Sequence, residues 1–115
     1  VTLSVPATKT AVADLLETKF LYGAIFTTVP SGATPGTEVT GGTPAYVRKA
    51  LTFTNGAAGV TVASATFDIP AGVTVKGTGI FDAVTAGNYQ EGRTETDIVY
   101  AAQGQLTVTW TTTAV

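Results

Sequence analysis

Between Pro6 and Phe20 the apolar residues Val12, Leu15, Leu16 and Phe20 recur with the spacing of one helical face. That predicts a helix over about 6–19. Ser4 would be its N-cap, Pro6 would sit in the first turn where a missing N–H costs nothing, and Asp14, Glu17 and Lys19 would take the wetter side. From Phe20 the period falls to two. Tyr22, Ala24 and Phe26 alternate with Leu21, Gly23, Ile25 and Thr27, and the run is apolar on both faces, as in a central strand lying under the helix. Residues 29–44, VPSGATPGTEVTGGTP, lack any period and are rich in Pro and Gly, so they should form a long surface loop of the kind that carries contacts.

A second strand follows, with Val47, Leu51 and Phe53 on its core face and Tyr46, Arg48 and Thr52 opposite, until Asn55-Gly56 signals a tight turn. Val60 and Val62 share a parity that Phe67 and Ile69 do not. If both pairs face the core, a bulge must lie near residues 63–65. Pro70-Ala71-Gly72 turns the chain, and Val73, Val75 and Phe81 then lie on one parity. Gly77 and Gly79 between them suggest a bulge or a close backbone approach. Residues 97–102 and 105–113 complete the set, the last with Leu106, Val108 and Trp110 inward and Thr107, Thr109 and Thr111 outward. One helix followed by about seven short strands, at turn spacings of about ten residues, predicts an all-β antiparallel sandwich, Ig-like or jelly-roll-like. Residues 1–115 should form one domain.

Composition narrows function more than fold. The 115-residue chain has no His and no Cys. It therefore lacks the side chain that titrates near neutrality and the strongest neutral-pH nucleophile, and the commonest catalytic constellations cannot be assembled. No disulfide can support the fold, which is free to mature in a reducing cytoplasm. Only 12% of residues are charged against 44% hydrophobic, so Thr, Ser, Asn and Gly must supply the solvent faces. A net charge of −2 with scattered basic residues gives no footprint for nucleic acid. VTLSVPATKT does not resemble a signal peptide, and no stretch is apolar for long enough to span a membrane as a helix.

Four motifs could carry chemistry, and each has a plainer use. Glu91, Glu95 and Asp97 partly imitate a calcium loop, but Arg93 sits among them and a solvated turn before a strand explains the cluster. Asp68, Asp82, Glu91 and Glu95 could supply paired carboxylates for glycoside hydrolysis; strand ends and loops account for Asp68 and Asp82 equally well. Gly77-Thr78-Gly79 lacks the helix and lysine of a phosphate loop. Tyr22, Tyr46, Tyr89, Tyr100 and Trp110 could stack on sugars, but they are dispersed and Trp110 has core parity. The expectation is a protein that is not an enzyme and holds no cofactor or metal.

The run GGTPAYVRKALTF at residues 41–53 resembles the GGSPAYARK-type segment of small virion proteins of tailed bacteriophages, especially those infecting actinobacteria. The similarity extends over nearly the whole chain, through TVPATKTAVADLL-, ATFDIPAGVTVKGTGIFDAVTAGNY- and AQGQLTVTW-like stretches. It implies a virion structural protein, of the minor tail or tail-fibre type or of the minor capsid or head-decoration type. It transfers no catalytic residue. It also implies synthesis in the host cytoplasm, residence in the virion, homo-oligomerisation, and contacts with major capsid or tail proteins, without nucleic acid or membrane. A host-surface or carbohydrate-binding module of a tail fibre is the alternative. Tyr and Arg dominate interface hot spots, so Tyr46 and Arg48 are the candidate contact pair, although both could instead cap the core edge through their own polar bonds. The loop at 29–44 and the N-terminal segment are the expected docking elements.

Overall fold

The computed structural model describes residues 2–114, the side chain of Asn55 excepted. Helix α1 spans Pro6–Glu17. Pro6 opens it, but the residue before it, Val5, is extended and gives no side-chain cap, so Ser4 is not the N-cap. The helix ends two residues earlier than expected, where the Thr18 N–H and hydroxyl both donate to the Leu15 carbonyl. Its buried line also differs from expectation. Ala13 is buried and Leu16 packs on the core, while Leu15 is 62% exposed. The helix lies on the fourth strand, not the first, because small Ala13 seats over Thr61, whose Oγ1 reaches the Ala13 carbonyl at 3.5 Å.

The strands are β1 (Tyr22–Phe26), β2 (Lys49–Ala50), β3 (Thr52–Asn55), β4 (Val60–Ile69), β5 (Val73–Phe81), β6 (Tyr89–Tyr100) and β7 (Gly104–Thr113). They form two antiparallel sheets, β2-β1-β5-β6 and β3-β4-β7, packed as the expected all-β sandwich. Phe67, Ile69, Val108 and Trp110 from one sheet meet Ile25, Val75 and Ile80 from the other in the main core. As its two-sided apolarity required, β1 is an inner strand with Ala24, Ile25 and Phe26 wholly buried. Ile25 faces the main core. Ala24 and Phe26 join Phe81 and Tyr89 in a second cluster, with Phe26–Phe81 edge-to-face at 6.3 Å.

Three expectations need correction. The strand expected over 46–54 is two short strands in different sheets, divided at Leu51, whose N–H donates to Leu21. No bulge interrupts β4, which pairs with β7 in unbroken register from Val60↔Thr113 to Ile69↔Gly104. The puzzle of parity dissolves because Thr61 and Ala63, not Val60 and Val62, face inward; the hydroxyl of Thr61 is tolerated there through its bond to the helix. Finally, β6 begins at Tyr89, so the acidic run around Glu91 is strand, not turn. Its polar residues on both parities reflect an edge strand, where neither the outer face nor the free side demands an apolar residue.

Candidate functional site

The long loop after β1 returns across the sheet that β1 belongs to. Thr27 N–H donates to Thr37, and Val39 N–H donates to the Ile25 carbonyl, so the single acidic residue between them, Glu38, is carried to the end of β1. The loop closes with Gly41 and Gly42 at positive φ, where Gly meets no Cβ penalty, and a cis Thr43–Pro44 bond. Tyr46 follows directly, its N–H held by the Gly41 carbonyl.

Residues 46–48 lie outside any strand, and alternation from Leu51 does not carry back to them. This reverses the expected faces. Val47 is 49% exposed, whereas Tyr46 is buried with its ring stacked on Phe67 at 6.3 Å. Its hydroxyl accepts the Ile25 N–H at 3.0 Å and donates to Glu38 Oε2 at 2.7 Å. Burial pushes that hydroxyl well above its usual titration range; the Ile25 N–H opposes the shift, and Glu38 reinforces it.

Arg48 approaches the same carboxylate from the other side. Nε and Nη2 form a fork on Glu38 at 2.9–3.1 Å, and Nη1 donates to the carbonyls of Ala83 and Ala86 at 3.1 and 2.6 Å. The guanidinium plane stacks on Phe81, and only 10% of the side chain is exposed. One carboxylate thus joins three loop segments to the core. Sequence reasoning paired Tyr46 with Arg48, either as an outward contact or as caps on the core edge through their own polar bonds, and the polar bonds are what the structure shows. It turns them onto Glu38, a residue not singled out beforehand. The available signal was a lone acidic residue in a Gly/Pro-rich loop, followed by Tyr and Arg of equal parity.

Above this network lies a groove of about 330 Å³, with the Glu38–Arg48 pair in its floor and Val39, Val47, Val84 and Thr85 along its sides. Val47 and Val84 are both about half exposed. The second wall, residues 82–88, is held by Asp82, whose carboxylate accepts from the Asn88 N–H, the Asn88 amide and Gln90. Those bonds, the Asn88 backbone first, hold the Asp82 carboxyl below its ordinary value.

The other candidates are dispersed. Glu95 pairs with Arg93 and Asp97 with Lys76 at the surface, and no three His, Cys, Asp or Glu side chains converge among the described residues. Gly77 and Gly79 do mark close approach: a Cβ at Gly79 would lie 2.5 Å from the Phe26 ring. Trp110 is in the core as expected, its indole N–H donating to Thr78. Tyr89 packs against Phe26 and Phe81, and the Tyr100 hydroxyl donates to the Gln105 carbonyl, so the aromatic rings build no common platform. No helix among the described residues is long and apolar enough to cross a membrane.

Comparison with curated proteins and with solved structures finds no match. A family model described as "Podophage GP4 fiber I protein gp80" matches residues 9–109, a span running from the helix to the last strand.

Proposed function

The chain thus belongs to the podophage GP4 fiber I protein gp80 family, and from that premise we propose that it is a tail-fibre subunit which oligomerises, and which docks on other virion proteins through the groove above Glu38 and Arg48. Membership makes it a phage virion structural protein of the tail-fibre type. The family description supports the finer choice of fibre over head decoration, which is part of the proposal. In this reading the protein works by burying surface, not by turning over a substrate.

The observation that carries the docking face is the Glu38–Tyr46–Arg48 network, a latch across the loops on either side of the groove. Long loops are normally mobile, and ordering them on binding subtracts from affinity. Here the Glu38 carboxylate, Tyr46 and Arg48 fix both walls of the groove in advance, so Val47 and Val84 are presented as a preformed apolar lip. Tyr46 and Arg48 are then positioning residues, and the contact itself belongs to Val47, Val84 and their neighbours.

Substituting Val47→Asp and Val84→Asp together tests this. Both side chains are about half exposed, so the chain should still fold, with an unchanged circular dichroism spectrum, and should no longer be incorporated into particles. Incorporation at the wild-type level would remove the groove from the docking face. Binding of the isolated chain to host cells, without any place in the particle, would favour the receptor-binding alternative.

A further inference from the structure

The four sheet edges of the sandwich differ sharply in how they are protected. At one side lie β2, two residues long, and β3, four residues long, both too short to recruit a partner strand. At the other, β6 carries Glu91, Arg93, Glu95 and Asp97 and shifts register twice against β5, the charges and irregularities that keep an edge from pairing. The residues of β7 have none of these, and only two side chains of β6, Arg93 and Tyr100, reach its outward backbone. Its sequence, GQLTVTWTTT, holds no charge and no proline, and its ten residues run straight along β4.

The backbone groups at that edge can be assigned. Ala114 N–H donates to Gly59 in continuation of the β4 register, so the even-numbered residues of β7 direct their groups toward β4. Gln105, Thr107, Thr109, Thr111 and Thr113 therefore point theirs away. Two of their carbonyls meet only side chains from β6: Thr109 accepts from Arg93 Nη1 at 3.1 Å, and Gln105 accepts from the Tyr100 hydroxyl at 3.2 Å.

We propose that this edge pairs antiparallel with β7 of a second copy about a two-fold axis at Thr109, joining two three-stranded sheets into one. This names the self-association surface of the proposed fibre subunit and rests on that reading. The axis follows from the backbone: only pairing Thr109 with itself, Thr107 with Thr111 and Gln105 with Thr113 matches all five outward-facing residues. The paired edge would be about 30 Å long at ordinary strand rise. Self-complementarity favours a second copy: the outward-facing residues are symmetric about Thr109, so the same strand turned about that axis meets every one of them, and no charge on β7 opposes the contact. Arg93 reaches Thr109 and is paired with Glu95, so the axis brings the Arg93–Glu95 pairs of the two copies beside one another, each guanidinium carrying its own counter-charge. A two-fold contact of this kind is self-complementary and closed.

Sedimentation velocity on the full chain tests the proposal. The wild type should sediment at twice its 11.6 kDa mass. The exposed pair Thr107→Lys/Thr111→Lys sets lysines opposite lysines across the axis and should give the monomer, whereas Thr107→Lys/Thr111→Glu sets opposite charges together and should restore the dimer. Thr109→Pro removes an outward N–H without touching the ladder to β4 and should also give a monomer; if it does not fold, the lysine pair decides. A monomeric wild type, or any oligomer whose mass the lysine pair leaves unchanged, overturns the proposal. Either result in a chain still found in particles removes this surface alone and leaves the fibre reading standing. A chain absent from particles that nonetheless dimerises as described removes the fibre reading alone.

Discussion

The guanidinium carbon of Arg48 lies 3.6 Å from the centroid of the Phe81 ring, which places a charge flat on an aromatic face while its edge grips Glu38 and two loop carbonyls. A planar fork is what makes all of these contacts compatible. Arg48→Ala should leave Glu38 with the Tyr46 hydroxyl alone as donor and take the guanidinium from the carbonyls of Ala83 and Ala86. The expected loss is about 2–3 kcal/mol, below the usual range for a broken buried pair because Glu38 keeps some solvent access. Arg48→Lys should recover only a minor part of it. Chemical denaturation of the three proteins measures both.

Tyr46→Phe should cost about 1–3 kcal/mol, the range for stranding a buried donor, since the Ile25 N–H loses its acceptor. The phenol also has a pH signature. Its titration is raised in the fold, so its contribution is complete below the ordinary Tyr value of 10.0 and disappears as pH climbs above it. Stability measured from pH 8 to 11 should fall in the wild type above 10, and that component should be missing from Tyr46→Phe.

Asp82 titrates in the opposite sense. Its carboxyl is held below 3.8 in the fold by Asn88, so the stabilisation is complete above that pH and fades as pH drops through the lowered folded value. Asp82→Asn should remove this acid-sensitive component. Carboxyl chemical shifts followed by NMR from pH 6 to 2 should show Asp82 titrating below the ordinary Asp value of 3.8; a midpoint at or above it would contradict the assignment.

The sandwich was legible because period-two runs such as Leu106 to Trp110 and the doubly apolar run of β1 carry their own burial pattern. Parity reasoning failed where an element's hidden assumption failed. Val60 and Val62 looked like core residues until the helix supplied Thr61 with a partner. Tyr46 and Val47 exchanged faces because no strand connects them to Leu51. The latch was half legible: Tyr46 and Arg48 were identified as a pair, but Glu38 lies across a loop, and only tertiary structure brings its carboxylate between them.

The glycines of β5 were legible as sites of close approach, and one substitution tests that reading. Gly79→Ala would drive a methyl group into Phe26, whose ring has no exposed side to move toward. Overpacking of this kind costs about 1–3 kcal/mol. A thermal melt should register the loss, and a paired Phe26→Leu substitution should relieve part of it.

The central claim, a structural place in the phage tail, is tested most directly by locating this chain in purified particles. Mass spectrometry of extensively washed virions, with cryo-electron density of the tail, should find it at a fixed copy number in fibre density. A chain that washes away entirely, or one that is traced only in the head shell, would contradict that claim.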